Sequence, residues 1–161
     1  MSSLDFTHRL YKALNKDSEK ENVFFSPYSI SSALSMVLTG AKKESKEQLL
    51  LGLGFADVDQ AHQHYLAVHS ALSKVNESVK LTVANKIFPD ASTNVKADYI
   101  RELRGAAFKC DVTALDFVKE AERSRLEINR WVSDETHEKV KDLLPEGSFD
   151  KSTVMVLANA I

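Results

Sequence analysis

The sequence holds a single cysteine, Cys110, which excludes an internal disulfide framework and is compatible with a reducing compartment. Three prolines and five glycines never gather into a linker, so nothing divides the chain into separate domains. Neither sign of charge predominates. The 21 Lys and Arg against 23 Asp and Glu leave a net charge of −2, too little basic surface to suggest nucleic acid or an anionic membrane as partner. No G-x-S-x-G elbow occurs, and no His, Cys and Glu fall at metal-ligand spacing. No serine or histidine stands by motif beside a catalytic partner, so the chain is not read as an enzyme and no cofactor or metal is expected. The N-terminus lacks a basic stretch followed by an apolar run. That predicts no signal peptide and a cytoplasmic protein, with leaderless or internal-signal secretion as the alternative. Its 161 residues are enough for one domain with a core.

What is present centres on residues 23–41, where not one side chain is charged. Ser26 is suited to cap a helix and Pro27 to occupy its first position. Ile30, Ala33, Leu34, Val37 and Leu38 recur at helical spacing, and Gly40 supplies the stop. The other face carries Ser29, Ser32 and Met36, small and uncharged. A helix without a charged face is buried on all sides. A membrane span is the competing reading, but roughly 12 helical residues give about 18 Å against a hydrocarbon core of ~30 Å.

Around this stretch, Phe6, Leu10, Ala13 and Leu14 mark a surface helix. Ser45 and Gln48 have capping-box spacing ahead of Leu49, Leu50 and Leu53. Gly52-Leu53-Gly54 lacks the spacing and the preceding strand of a phosphate loop. Residues 57–74 read as an amphipathic helix whose His62, His64 and His69 face solvent, too poorly spaced to chelate. Asn76-Glu77-Ser78 is a glycosylation sequon that matters only on a secretory route. Alternation over 79–88 predicts a strand broken by Pro89, and residues 107–112 a second strand with Cys110 as a packing residue. Val95, Tyr99 and Leu103 mark a short helix between them, ended near Gly105. Residues 117–136 form the longest helix, with Ala121, Ser124, Ile128, Trp131 and Val132 as its buried stripe. Residues 153–161 are apolar on both faces, as in a central strand. Such a strand at the end of a chain would leave an unpaired apolar edge, so the chain is expected to be the front part of a longer protein.

Two stretches carry a family resemblance. Asn22 to Met36 resembles the serpin pattern N-x-F-F-S-P-x-S-I-x-x-A-L-x-M, almost position for position. Ile128-Asn129-Arg130-Trp131-Val132, followed by Thr136, Lys139, Val140, Leu143 and Leu144, resembles the serpin I-N-x-W-V…T-x-x-K-I…L-L. Ala84-Asn85-Lys86-Ile87-Phe88 and Leu115-Asp116-Phe117 are weaker matches, to A-N-x-x-F and V-D-F. Ser45 departs from T-x-x-Q, and Lys43-Glu44 from a Gly-Asn-like turn.

The resemblance implies an α+β fold: an N-terminal helical region plus strands of the central serpin sheet, an incomplete serpin fold forming the N-terminal portion of a single domain over residues 1–161. Helix 117–134 would lie across the sheet. Serpins inhibit serine, and in some members cysteine, proteases by a suicide mechanism. A cleaved reactive loop inserts as a strand into a metastable sheet and distorts the acyl-bound protease. By resemblance Ser29 and Ser32 sit beneath the sheet beside Asn159, where its strands part, in the region called the shutter. The reactive loop of serpins lies near their C-terminus and is absent here. The target protease would therefore be met by another part of the protein, and this piece alone is expected neither to inhibit nor to fold stably. A non-inhibitory serpin-fold binding or storage protein is the alternative. Only Lys74 is basic near the end of helix 57–74, so heparin binding does not carry over.

Overall fold

The computed structural model describes residues 3–16, 22–72 and 83–161. The elements in order are α1 (Ser3–Leu14), α2 (Pro27–Gly40), α3 (Lys43–Leu53), α4 (Val58–Leu72), β1 (Ala84–Pro89), α5 (Ala97–Arg104), β2 (Asp111–Val112), α6 (Ala121–Glu135) and β3 (Met155–Ala160). The strands form one sheet in the order β2-β1-β3. β1 runs parallel to β2, and antiparallel to β3 from Ala84 opposite Ala160 to Pro89 opposite Met155. Among the described residues no helix is long and apolar enough to cross a membrane.

The sheet separates two cores. Ile87 joins Met36, Tyr65, Leu103, Phe108 and Cys110 on the α2 side, with Met155 and Leu157 packed against them. Phe88 and Ala158 join Phe117, Ile128 and Val132 on the α6 side. A third cluster, Leu38, Leu53 and Ala61, ties α2 to α3 and α4. The period of two along β1 and β3 sends alternate residues to opposite cores.

Helix α2 starts as its sequence predicts. The Ser29 N–H donates to the Ser26 hydroxyl at 3.2 Å, and Pro27 holds the first position. Its fully buried residues come from both the serine flank and the aliphatic row. Ser32, Ser35, Met36 and Leu38 are fully buried, while Ile30, Ala33, Leu34 and Val37 are half-buried. Small side chains let neighbouring backbone approach most closely. At its far end Gly40 lies under the ring of Tyr99, whose hydroxyl donates to the Met36 carbonyl at 3.0 Å.

Several boundaries differ from the sequence reading. The capping box at Ser45 does not form: α3 begins at Lys43, so Ser45 is already helical, and Gln48 donates to the Glu44 carboxylate at 3.0 Å. Gly54 closes α3 in the left-handed conformation, with φ 81°. The 57–74 helix is α4, Val58–Leu72; Lys74, Asn76 and the front of the expected strand 79–88 lie outside the described residues. β1 runs through Pro89 instead of breaking before it. Proline suits this last position, where its carbonyl accepts from the Leu115 N–H at 3.0 Å. The second strand shrinks from 107–112 to Asp111–Val112. Ala107 and Phe108 form a turn in which the Lys109 N–H reaches Gly105 O and the Cys110 N–H reaches Leu103 O. Their hydrophobicity fills the core without pairing a strand. Helix α6 begins at Ala121 rather than 117: residues 117–119 form a turn, in which the Phe117 N–H donates to the Asp90 carboxylate at 3.0 Å and the Lys119 N–H to that of Asp116 at 2.8 Å. The last strand is β3, Met155–Ala160, within the expected 153–161.

The three histidines of α4 do not simply face solvent. His62 lies 2.9 Å from the Thr39 hydroxyl, His69 lies 3.3 Å from that of Tyr28, and His64 packs its ring on Phe55 and Tyr65. Positions 62, 65 and 69 share one helical face, and that face is turned to α2. Cys110 is buried as expected, with its thiol pushed up to about 12 chiefly by burial and further by Asp111.

Two measurements test this packing. A Cβ on Gly40 would stand 2.9 Å from the Tyr99 ring, whereas one on Gly52 meets nothing within 4 Å. In denaturant melts Gly40→Ala is expected to destabilise by about 1–3 kcal/mol. Gly52→Ala is expected to be neutral or to stabilise by up to about 1 kcal/mol. The second measurement concerns Asp90, whose carboxyl is held below its ordinary value of 3.8 by the Ser92 hydroxyl, then by the N–H groups of Ser92 and Phe117. Its contribution is complete above the unfolded value and lost as pH falls through the lower folded one. Asp90→Asn should therefore flatten the acid limb of stability below about pH 4, which an acid series of melts would register.

Candidate functional site

Strand register sets Asn85 of β1 opposite Asn159 of β3. Both stand on the α2 side of the sheet, in line with Ile87 and Leu157. Asn159 donates through Nδ2 to Asn85 Oδ1 at 2.7 Å, and Asn85 donates through Nδ2 to the Phe108 carbonyl at 2.8 Å. A short relay of amides thus crosses from β3 through β1 to the turn before β2.

The relay leaves one atom over. Asn159 Oδ1 is buried and has no hydrogen-bond partner among the described residues, and the same holds for the fully buried Ser32 Oγ on α2. A buried acceptor or hydroxyl left unmade costs about 1–3 kcal/mol. One such atom lies on α2 and the other on β3, two elements that pack against each other. The other buried serine of α2 is satisfied, since the Ser35 hydroxyl donates to that of Tyr65 at 3.3 Å.

Of the three residues singled out in the sequence, Ser32 is buried and Asn159 half-buried with its Oδ1 out of solvent, and no hydrogen bond joins them. Ser29 is half-buried, and its amide belongs to the Ser26 cap. Sequence reading missed Asn85 and the Phe108 carbonyl. The signal for Asn85 was there: it falls on the apolar face of its strand, in line with Val83 and Ile87. A polar side chain on a buried face has a partner or a function. Nothing local could have revealed that a backbone carbonyl of the 105–110 turn would serve.

The opposite face of the sheet is built differently. Among the described residues no hydrogen bond joins α6 to a strand. Asn129 of α6 instead pairs both its amide atoms with the backbone of Leu144, at 2.9 Å each, and Arg125 also donates to that carbonyl. What holds α6 to the sheet is apolar contact with Phe88 and Ala158, with Trp131 edge-on to Phe88 at 5.8 Å. The Lys86 ammonium lies between them. It is 3.1 Å from the Asp111 carboxylate, 5.4 Å from the Phe88 ring centre and 5.9 Å from that of Trp131. Lys86 holds the Asp111 carboxyl below its usual range. No group of three or more His, Cys, Asp or Glu among the described residues could hold a metal ion.

The geometry is therefore a sheet packed on a charge-free helix, its strands linked by a partly satisfied amide relay, and covered by a helix that grips it without directional bonds. The chain is 36% identical over 156 residues to leukocyte elastase inhibitor A of Mus musculus, covering 97% of this chain and 41% of that protein. It is 38% identical over 161 residues to Iris of Ixodes ricinus, covering 98% and 42%. Emu ovalbumin superimposes with a TM-score of 0.88 at 26% identity, over 98% of this chain and 44% of its own. AtSerpin1 of Arabidopsis in its native stressed conformation gives 0.85 at 30% identity, over 98% and 41%. Cleaved Serpin 42Da gives 0.80 at 31%, over 96% and 41%. The chain thus spans about two fifths of the length of these relatives. The family described as Serpin (serine protease inhibitor) matches residues 1–161, the whole chain, and the protein belongs to that family.

Proposed function

We propose that this chain is the N-terminal portion of an inhibitory serpin and supplies the part of the central sheet that yields when a cleaved reactive loop inserts as a strand. The observation that carries the reading is the match of the serpin family over residues 1–161, with elastase inhibitors among the relatives. The missing hydrogen bonds with α6 support the same reading, because apolar contact tolerates sliding.

In this proposal Ser29, Ser32 and Asn159 form the shutter, and no residue of the chain performs catalysis. The partner is a serine protease met through a loop outside this sequence. The elastase named in the mouse relative suggests an elastase-like target.

The test is incubation of the full-length protein with elastase-, trypsin- and chymotrypsin-like proteases. A detergent-resistant complex with one of them is expected. Simple cleavage without a complex would overturn the inhibitory reading in favour of a binding or storage role. A second measurement addresses the shutter. Ser32→Ala removes an unsatisfied hydroxyl and should leave stability unchanged or raise it by about 1 kcal/mol, while slowing complex formation. Ser32→Val overfills the site and should destabilise by about 1–3 kcal/mol. Melts and complex-formation rates of the two variants would read both effects.

A further inference from the structure

Alternation along β1 turns Asn85 and Ile87 to the α2 side of the sheet, and Lys86 and Phe88 to the α6 side. Lys86 is the one charged residue of β1, and it stands beside the apolar core that Phe88 helps to build. A cation in such a place costs free energy unless its surroundings compensate it.

The compensation comes from two other elements. Register sets Lys86 opposite Asp111 of β2 on one flank and opposite Ala158 of β3 on the other. Asp111 supplies one carboxylate oxygen to the ammonium at 3.1 Å, while its second oxygen accepts from the Val112 N–H at 2.8 Å. Helix α6 supplies the ring of Trp131, and Phe88 adds its own. Both ring centres lie within the ~6 Å over which an aromatic face holds a cation. The lysine side chain is only 15% exposed, so water screens little of that attraction. Ala158 brings neither charge nor ring.

The restraint is therefore lopsided. It joins α6 to β1 and β2 and passes over β3, which meets α6 through the apolar side chain of Ala158. Among the described residues no other cation stands over an aromatic ring. The hydrogen bonds of Asn129 and Arg125 tie α6 to Leu144 and not to a strand.

We propose that Lys86 is a positioning residue, a latch that holds α6 on the β1–β2 pair through Trp131 and thereby slows the yielding of the sheet to an entering strand. The effect on the sheet rests on the inhibitory reading, and the hold on α6 does not.

The test is a double-mutant cycle on the full-length protein. Lys86→Met keeps the stem and removes the charge, Trp131→Leu removes the ring, and the third variant carries both. The cycle is needed because Lys86→Met also ends a desolvation cost, which cancels between its two arms. Hydrogen exchange of residues 121–135 reads the release of α6. The product of the two single losses of protection is expected to exceed the loss in the double variant by about three- to tenfold, the worth of a half-buried cation on a ring. The same cycle started from Lys86→Arg keeps a cation and should show the coupling again. If Trp131→Leu does not fold, Trp131→Met takes its place.

Rates of formation of the detergent-resistant protease complex supply the second readout. Loss of the latch speeds them, and the single accelerations should multiply to more than that of the double variant. A lysine that merely packs would leave these rates multiplicative. Independent effects of the two changes on exchange would overturn the latch, as would coupling that is absent from the Lys86→Arg cycle. Coupled exchange with uncoupled rates would overturn its effect on the sheet. No complex with any protease would overturn the inhibitory reading instead, and the exchange cycle alone would then decide whether Lys86 holds α6.

Discussion

Helix α2 buries hydroxyls where most core helices bury only carbon, and the other elements are arranged on it. Helices α1, α3, α4 and α5 and strand β3 all pack against it. The absence of charge from residue 23 to residue 41 makes this possible, because a single Lys or Glu would need either water or a buried counter-ion. Serine on the deepest face lets neighbouring backbone come close, yet each serine brings a polar group that must be satisfied or left at a penalty. Ser35 is satisfied by Tyr65, and Ser32 is not. The floor of the sheet therefore mixes tight packing with a local deficit in hydrogen bonding.

The two faces of the sheet bear different kinds of restraint. On the α2 side the restraint is directional: Asn159, Asn85 and the Phe108 carbonyl are linked in series, so displacing β3 from β1 breaks a specific bond. On the α6 side it is diffuse, made of ring and aliphatic contacts with one ammonium among them. Asn129 and Arg125 fasten α6 to Leu144, so the helix and the segment after it form a unit that rests on the sheet. In the proposed mechanism this difference matters. The lower face registers a particular strand alignment, and the upper face tolerates a change in it.

How much of this was legible in sequence depends on whether the signal was local. The cap at Ser26 and Pro27 was written in adjacent residues and appears as read, while the helix ends with Gly40 inside it and an extended Ala41 as its C-cap. The burial of α2 followed from its missing charge, although only Ser32, Ser35, Met36 and Leu38 are fully buried rather than every side. Residues 107–110 failed because hydrophobicity reports burial and not pairing. Ala107, Phe108 and Cys110 are core residues on a turn, a distinction set by contacts with Leu103 and Gly105. The histidines of α4 failed for a related reason. Their spacing showed that they could not chelate, but only the position of α2 could show what they would meet. At the candidate site, motif resemblance pointed to Ser29, Ser32 and Asn159, while the Asn85 relay depended on a register that no single segment encodes.

Trp131 is the only tryptophan in the chain, and its place between α6 and the sheet gives that position an optical meaning. Its indole looks onto the edge of Phe88 with a cationic group 5.9 Å away. Indole emission responds to nearby charge and to the entry of water. Within this chain, where it is the one indole, the colour of this fluorophore becomes a gauge of the gap between helix and sheet.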